Sequence, residues 1–296
     1  MYKRLLVPLD GSKLAELALP CAEELAAVFN SEVVLIGICE PEESQYSHMC
    51  QLYVGKIAEM VGNRIKKVNS RVIIRPVILD GRPAEGIIDY AEKNDVSLMI
   101  MASHGRSGIM SWTLGSVANK VLQRTGTPIL LIRAKASHLE AGAQGLFSRI
   151  LVPLDGSDVG EVVLPHVRQL TEKLGAEVIL LQVVAHGQHV HTIGGLDYVR
   201  FTEQQIESMK AEAKEYLDKV SEGLAGTKGM VRSEVRVGDT AHEIIKFADE
   251  ANIRLITISS HGRSGIRQWI SGSVTQKILH AGNTPVLLVK ALGIKA

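Results

Sequence analysis

The 296-residue sequence predicts two α/β domains, each a flavodoxin-like or Rossmann-like doubly wound unit with helices on both faces of a five-stranded, mainly parallel sheet. Three observations predict it. Short β-branched runs alternate with longer helical patterns, five times per half. The opening RLLVPLDGS, residues 4 to 12, returns as RILVPLDGS at 149 to 157. A later stretch, MASHGRSGIMSWTLGSVANK at 101 to 120, returns as ISSHGRSGIRQWISGSVTQK at 258 to 277.

In the first half the pattern gives strands at Arg4–Val7, Glu32–Ile38, Arg71–Leu79, Ser97–Ala102 and Pro128–Ile132, with helices near 13 to 29, 50 to 68, 83 to 94 and 115 to 125. Pro20, and Pro165 at the matching place, fall inside the first helix; a regular helix would lose ~3 kcal/mol there, so a late start or a kink is expected in both halves. The second half holds the clearest amphipathic helix, TEQQIESMKAEAKEYLDKVSEG, with Ile206, Met209, Ala213, Tyr216, Leu217 and Val220 on one face. Asp10 recurs as Asp155, 145 residues on, whereas Gly105 recurs as Gly262, 157 residues on. Twelve residues are therefore inserted in the second half, after its second strand. Two long copies make a tandem pair, with domains expected at 1–136 and 147–296 and a join in AKASHLEAGAQGLF, residues 134 to 147.

Composition excludes several classes. Hydrophobic residues make up 46%, enough for two cores, while 33 basic residues against 32 acidic leave no field to draw the chain to nucleic acid or a membrane surface. The apolar run at the N-terminus breaks at Pro8 and Asp10, too early for a signal or a span. Cys21, Cys39 and Cys50 all lie in the first half, so no disulfide framework is expected and the cytoplasm is the expected location.

A doubly wound sheet binds ligands beyond the carboxyl ends of its strands, where the winding reverses. Asp10 and Asp155 stand where the first strand of each half ends, and the duplicated Ser-His-Gly stretch begins where the fourth ends. Gly105 is followed, after nine residues, by Gly115-Ser116 at a helix start, so backbone amides and the helix dipole face the loop, a setting for phosphate. Ser116 can donate or cap, Arg106 can reach an anionic oxygen, and Asp10 can accept from ribose hydroxyls or help hold a divalent cation. The simpler explanation is that Gly115-Ser116 only starts a helix and Asp10 only caps one. Recurrence of both pieces in the same order favours a site.

With these residues in view, the chain resembles the universal stress proteins in their two-domain form. Nucleotide-binding members of that family carry Gly-x2-Gly-x9-Gly-(Ser/Thr) after the fourth strand; here the pattern reads Ala102-x2-Gly105-x9-Gly115-Ser116 and Ser259-x2-Gly262-x9-Gly272-Ser273. The resemblance implies a stress-response protein binding ATP or a related adenine nucleotide, with Mg²⁺ as an optional companion. It assigns the adenine and ribose side to Pro8, Asp10 and Ile38, and the phosphate side to Ala102, Gly105, Arg106, Gly108, Gly115, Ser116 and Val117. The second half repeats these roles with Pro153, Asp155, Val183, Ser259, Gly262, Arg263, Gly265, Gly272, Ser273 and Val274. It also implies that the two domains pair within the chain through their last strands, with a homodimer as a further option. The departure from the family pattern is the first glycine, replaced by Ala102 and Ser259.

Other motifs carry less. Neither Gly-x4-Gly-Lys-(Ser/Thr) nor Gly-x-Gly-x-x-Gly occurs, which removes the signatures of P-loop NTPases and dinucleotide dehydrogenases. A hydrolase built on Ser103, His104 and Asp10 is disfavoured because neighbouring side chains on an extended segment diverge. His186, His189 and His191 in the insertion could converge on one ion, but a mobile polar loop is the commoner explanation, one that can act as a lid on the second pocket. Trp112 and Trp269 are expected to pack the loop rather than stack on a base. Two rival classes stand beside the nucleotide-binding reading: a scaffold or interaction module with degenerate pockets, and a weak ATPase working through Asp10 or Asp155, with slow hydrolysis at most.

Overall fold

The computed structural model describes residues 1–40, 47–105, 114–133, 145–192, 195–260 and 272–291. Arg106, Gly108, Gly262, Arg263, Gly265, Trp112, Trp269 and most of the expected join lie outside them. The chain divides into two compact units, the first made of Met1–Leu146 with Asn283–Leu292, the second built on Phe147–Gly282.

The first unit opens with β1 (Arg4–Leu9), whose Leu5, Leu6 and Val7 are fully buried. Helices α1 (Lys13–Glu16) and α2 (Leu19–Phe29) follow in place of one helix. Pro20 sits in the first turn of α2, where its missing N–H costs nothing, which is why the expected helix at 13 to 29 breaks in two. Asn30, in the left-handed conformation, ends it. Then come β2 (Glu32–Cys39), α3 (Ser47–Lys66), β3 (Ile73–Asp80), α4 (Pro83–Lys93), β4 (Leu98–Ala102), α5 (Ser116–Arg124) and β5 (Ile129–Ile132). The sheet runs β5-β4-β1-β2-β3, all parallel, and its order reverses between β1 and β4. Strands β4 and β5 are buried along their whole length, as a sheet covered on both faces requires, while edge strand β3 is half-exposed and tolerates Pro76.

The second unit repeats the frame with β6 (Arg149–Pro153), α6 (Asp158–Glu161), α7 (Leu164–Leu174) and β7 (Glu177–Val184). Pro165 again starts the longer helix, and Gly175 closes it in the left-handed conformation. The inserted residues form an antiparallel hairpin of β8 (Gly187–Thr192) and β9 (Gly195–Arg200), correcting the expectation of a mobile loop: alternate residues between Gly187↔Arg200 and Thr192↔Gly195 keep one register. Beyond it lie α8 (Glu203–Gly223), β10 (Val231–Val237), α9 (Thr240–Glu250), β11 (Leu255–Ser259) and α10 (Ser273–Ala281). Thr202 and Gln205 close a capping box at the start of α8, the helix that the sequence marks most strongly. Within this unit the order is β10-β7-β6-β11.

The last strand, β12 (Val286–Val289), belongs to the first unit, where it pairs antiparallel with β5 in the register Val286↔Leu131, Leu287↔Leu130 and Leu288↔Ile129. The join is held at its end by Glu24, whose carboxylate accepts the amides of Gly145 (2.9 Å) and Leu146 (3.0 Å). At the amino ends of the strands, Glu32 pairs with Arg4 (2.6 Å) and Arg75 (2.8 Å); Glu177 repeats this with Arg149 (2.6 Å) and Arg232 (3.0 Å). These triads tie together β1, β2 and β3 in the first unit and β6, β7 and β10 in the second. No helix among the described residues is long and apolar enough to cross a membrane.

His166, on α7 at the place of Cys21 in the first unit, is 8% exposed, and burial lowers its pKa from 6.5 to about 4. The unfolded chain therefore takes up a proton near pH 6.5 that the folded chain refuses until about pH 4. Stability is retained above pH 6.5 and declines as the pH falls through that window, by on the order of 3 kcal/mol. Urea titrations between pH 7 and 4 should show this decline, and His166→Cys should flatten it by about one proton; an unchanged slope in the variant would refute the assignment.

Candidate functional site

Reversal of the strand order between β1 and β4 opens a crevice at their carboxyl ends. In the first unit it holds a cavity of about 660 Å³, in the ordinary range for a small-molecule site. Pro8, Asp10, Ile38, Ala102, Gly105, Gly115, Ser116 and Val117 all line it, so every expected first-half residue within the described part meets in one place.

The Asp-Gly-Ser turn after β1 depends on Gly11, whose φ of 86° a side chain would strain; Gly156 has φ 79°. Ser12, not Asp10, is the N-cap of α1: its Oγ accepts the Ala15 amide at 3.1 Å. Asp10 Oδ1 in turn accepts the Ser12 amide (2.9 Å) and hydroxyl (2.6 Å). Ser157 caps α6 in the same way, and Asp155 Oδ1 accepts its amide (3.1 Å) and hydroxyl (2.6 Å). The carboxylate is thereby fixed at the mouth of the crevice in both units.

Across from it, Gly105 is a glycine because of Asp10: a Cβ there would overlap Asp10 Oδ2. The Gly115 amide donates to the Ser103 carbonyl (2.9 Å), and Gly272 does the same to Ser260 (2.7 Å), closing each nine-residue loop at its base. Gly115 and Gly272 are N-caps of near-identical shape, φ −59° with ψ 152° and 154°, and no side chain caps either helix. The amides of Ser116, Val117 and Ala118 thus have neither a partner within α5 nor a side-chain cap, and all three residues line the cavity. Ala102 and Ser259 end their strands without a positive φ, so the absent first glycine imposes no backbone strain.

Ser103 and His104 do not diverge as the sequence suggests. Ser103 Oγ lies 3.0 Å from His104 Nδ1, but Ser103 is 1% exposed, so its oxygen is sealed in the wall rather than presented as a nucleophile. His104 Nε2 is buried and has no hydrogen-bond partner among the described residues. In the second unit Thr275 replaces Ala118, and its hydroxyl donates to the Ser259 carbonyl at 3.0 Å. Pro153 ends β6 and Val183 lies near the end of β7, in the places of Pro8 and Ile38. His186 is exposed, before the hairpin, and the side chains of His189 and His191 fall outside the described part. Among the described residues no cluster of three or more His, Cys, Asp or Glu could hold a metal ion.

Sequence reasoning missed the wall that α3 supplies. Tyr53 lines the cavity and donates to Glu16 Oε1 at 3.2 Å; burial first, and Glu16 second, push its hydroxyl pKa far up, so it stays a neutral donor. Tyr216 donates to Glu161 at 2.9 Å in the second unit. The signal was present in Glu16 and Glu161, 145 residues apart, each with a tyrosine in a later helix.

A family model described as the universal stress protein family matches residues 1–133 and 146–290. The chain belongs to the universal stress protein family. Among relatives, universal stress protein MJ0577 of Methanocaldococcus jannaschii is 28% identical over 155 residues, 49% of this chain and 96% of that protein. Universal stress protein Mb2028c of Mycobacterium bovis is 26% identical over 243 residues, 78% of this chain and 76% of its own length. The crystal structure of a universal stress protein from Archaeoglobus fulgidus aligns with 98% of this chain and 99% of its own at a TM-score of 0.72 and 19% identity, a likeness of fold. As a universal stress protein, the chain carries the α/β fold that its alternating pattern predicts.

The Gly105–Asp10 contact yields a stability test. Gly105→Ala should cost about 1–3 kcal/mol by overpacking. In an Asp10→Ala background the same substitution should cost far less, giving a coupling energy above ~0.5 kcal/mol in a urea-denaturation cycle. Strictly additive costs would mean that some other neighbour demands the glycine.

Proposed function

We propose that this universal stress protein binds ATP, or a closely related adenine nucleotide, in the first unit's cavity, as a signal or structural ligand rather than as a substrate for rapid turnover. The observation that carries this reading is the meeting, in one cavity of about 660 Å³, of three uncapped helix amides and a fixed carboxylate. Amides of Ser116, Val117 and Ala118 at the positive end of α5 suit phosphate oxygens. Asp10, at the end of β1, suits ribose hydroxyls, and Pro8 and Ile38 offer an apolar slot with backbone groups for the base edge. Such a nucleotide supplies polyphosphate charge and a flat aromatic base, and the lining holds groups suited to each. Mg²⁺, if it accompanies the phosphates, would rest on the nucleotide and one carboxylate, since no three-ligand cluster of the described residues is available.

Sealing of Ser103 supports the ligand role over hydrolysis, as no described nucleophile is paired with an accessible base. The second unit repeats the carboxylate turn and the uncapped helix start through Asp155, Gly272, Ser273 and Val274, which supports a second site of related chemistry. Its different lining predicts a different affinity.

Mass spectrometry of protein purified without added nucleotide tests the reading: an adenine nucleotide should co-purify, or ATP at a hundredfold excess over Kd should raise stability by about 2.7 kcal/mol. Gly115→Val, whose side chain would press on the Ser103 carbonyl 3.3 Å from the new Cβ, should abolish first-unit binding. Neither retention nor a thermal shift with ATP would replace this reading with that of a scaffold.

A further inference from the structure

Two of the three cysteines stand in the wall of the first unit's cavity. Cys39 ends β2 and is 4% exposed; Cys50, near the start of α3, is partly exposed. Cys21 is buried in α2, where burial pushes its thiol pKa far above the ordinary range and leaves it inert. None of the three is bridged. The second half carries no cysteine at all, so the pair belongs to the first site alone.

The contacts of Gly37 place the Cys50 sulfur over the face of β2 that carries Cys39. A Cβ on Gly37 would lie 2.9 Å from Val54 Cγ2 and 3.0 Å from Cys50 Sγ, so these two residues, one helical turn apart, straddle it. Helix α3 is the crossover between parallel strands β2 and β3 and therefore runs against β2. The step from Val54 to Cys50, ~6 Å along the helix, thus follows β2 from Gly37 towards Cys39. Cys39 is two residues beyond Gly37 on the same face of the strand, ~6.6 Å along it. With the straddle centred on Gly37, Cys50 has covered ~3 Å of that distance, so along the strand direction it is offset from Cys39 by only about 3.5 Å, on the same face of β2.

We propose that Cys39 and Cys50 form a hydroperoxide-reactive thiol pair, a modification site in the wall of this cavity. Cys50, the more accessible sulfur, attacks the O–O bond of the peroxide. One oxygen goes to sulfur as sulfenic acid, and the other leaves as water or an alcohol. The Cys39 sulfur then attacks Cys50 Sγ, the S–O bond breaks, and that oxygen leaves as water with the Cys39 proton. The two thiols together lose two electrons and two protons, and the peroxide gains them. The disulfide ties the start of α3 to the end of β2 beside Ile38, so it alters the slot assigned above to the base; this coupling rests on the nucleotide reading.

The test uses the reduced full-length chain and equimolar hydrogen peroxide. Intact mass should fall by two hydrogens, and peptide mapping should find Cys39 joined to Cys50, with Cys21 alkylated only after unfolding. Cys39→Ser should instead leave a sulfenic acid at Cys50, trapped by dimedone, and Cys50→Ser should leave Cys39 unmodified. An unchanged mass, a bridge to Cys21 or a bridge between chains would overturn the proposal. ATP affinity should drop at least tenfold on oxidation and return with dithiothreitol; a disulfide that forms without changing affinity overturns the coupling. Protein that binds no ATP even when reduced fails the nucleotide reading, and the mass measurement still decides the thiol pair.

Discussion

Strand β1 is hydrogen-bonded on one side to β2 and on the other to β4, and the chain leaves it in opposite directions to reach them. Both neighbours are parallel to it, so all three carboxyl ends point the same way and no connection crosses between β1 and β4 at that end. The gap is a consequence of winding, and it is where Asp10 and Ala102 emerge side by side. Leu5, Leu6 and Val7 on one strand and Leu98, Met99 and Ile100 on the other are consecutive residues that serve both faces, and their burial holds this pair at the centre of the core. The position of the site is therefore set by the core, and its chemistry by the two turns that leave it.

Those turns are held by hydrogen bonds internal to each. Asp10 fixes Ser12, Ser12 starts α1, and the Ser103 carbonyl takes the Gly115 amide at the base of the long loop. Each contact satisfies a group that a helix end or a sharp turn would leave unpaired, at roughly 0.5–1.5 kcal/mol apiece. The next three amides of α5 have no partner within the helix and no side-chain cap. Helices α8 and α9 cap their first amides with Thr202 and Asp239, while α2, α4 and α7, like α5 and α10, have no side-chain cap; what sets α5 apart is that its uncapped first residues line the cavity.

Much of this was legible in the sequence because it is repeated there. Two copies fix an offset, the offset locates the insertion, and shared glycines and aspartates stand out from a background that has otherwise diverged. The reasons behind individual letters were less legible. Gly105 reads as room for phosphate, yet the room is taken by Asp10, a residue 95 positions away that only the fold brings near. Asp10 reads as a cap, yet the cap is Ser12. The inserted segment looks like a polar loop because its alternation is weak and rich in glycine, and only the pairing of Gly187 with Arg200 reveals a hairpin. Periodicity alone does not reveal that β12, written in the second copy, pairs with β5, since both are short apolar runs; the family resemblance is what implied pairing through the last strands.

Comparison of the two halves separates what the frame requires from what the lining can vary. Pro8, Asp10, Gly11, Ser12, Glu16, Gly115 and Ser116 each recur unchanged; Pro8 lies in β1 just before the turn, Ser116 opens α5, and the others sit in a turn, a cap or a hydrogen bond at the crevice. Ala15 becomes Gly160, whose missing Cβ leaves room for Asp155 Oδ1, 2.8 Å from where that carbon would be. Ala118 becomes Thr275, which puts a hydroxyl onto the Ser259 carbonyl. Gly37 and Cys39 become Gln182 and Val184, replacing a narrow strip under a thiol with a longer polar side chain and an inert one. Side chains that face the crevice or pack beneath its floor differ between the halves, while the turns that place them stay fixed. A duplicated pair whose turns are shared and whose lining is not keeps one frame in both halves while each presents different side chains to its crevice, and only the first half has thiols there.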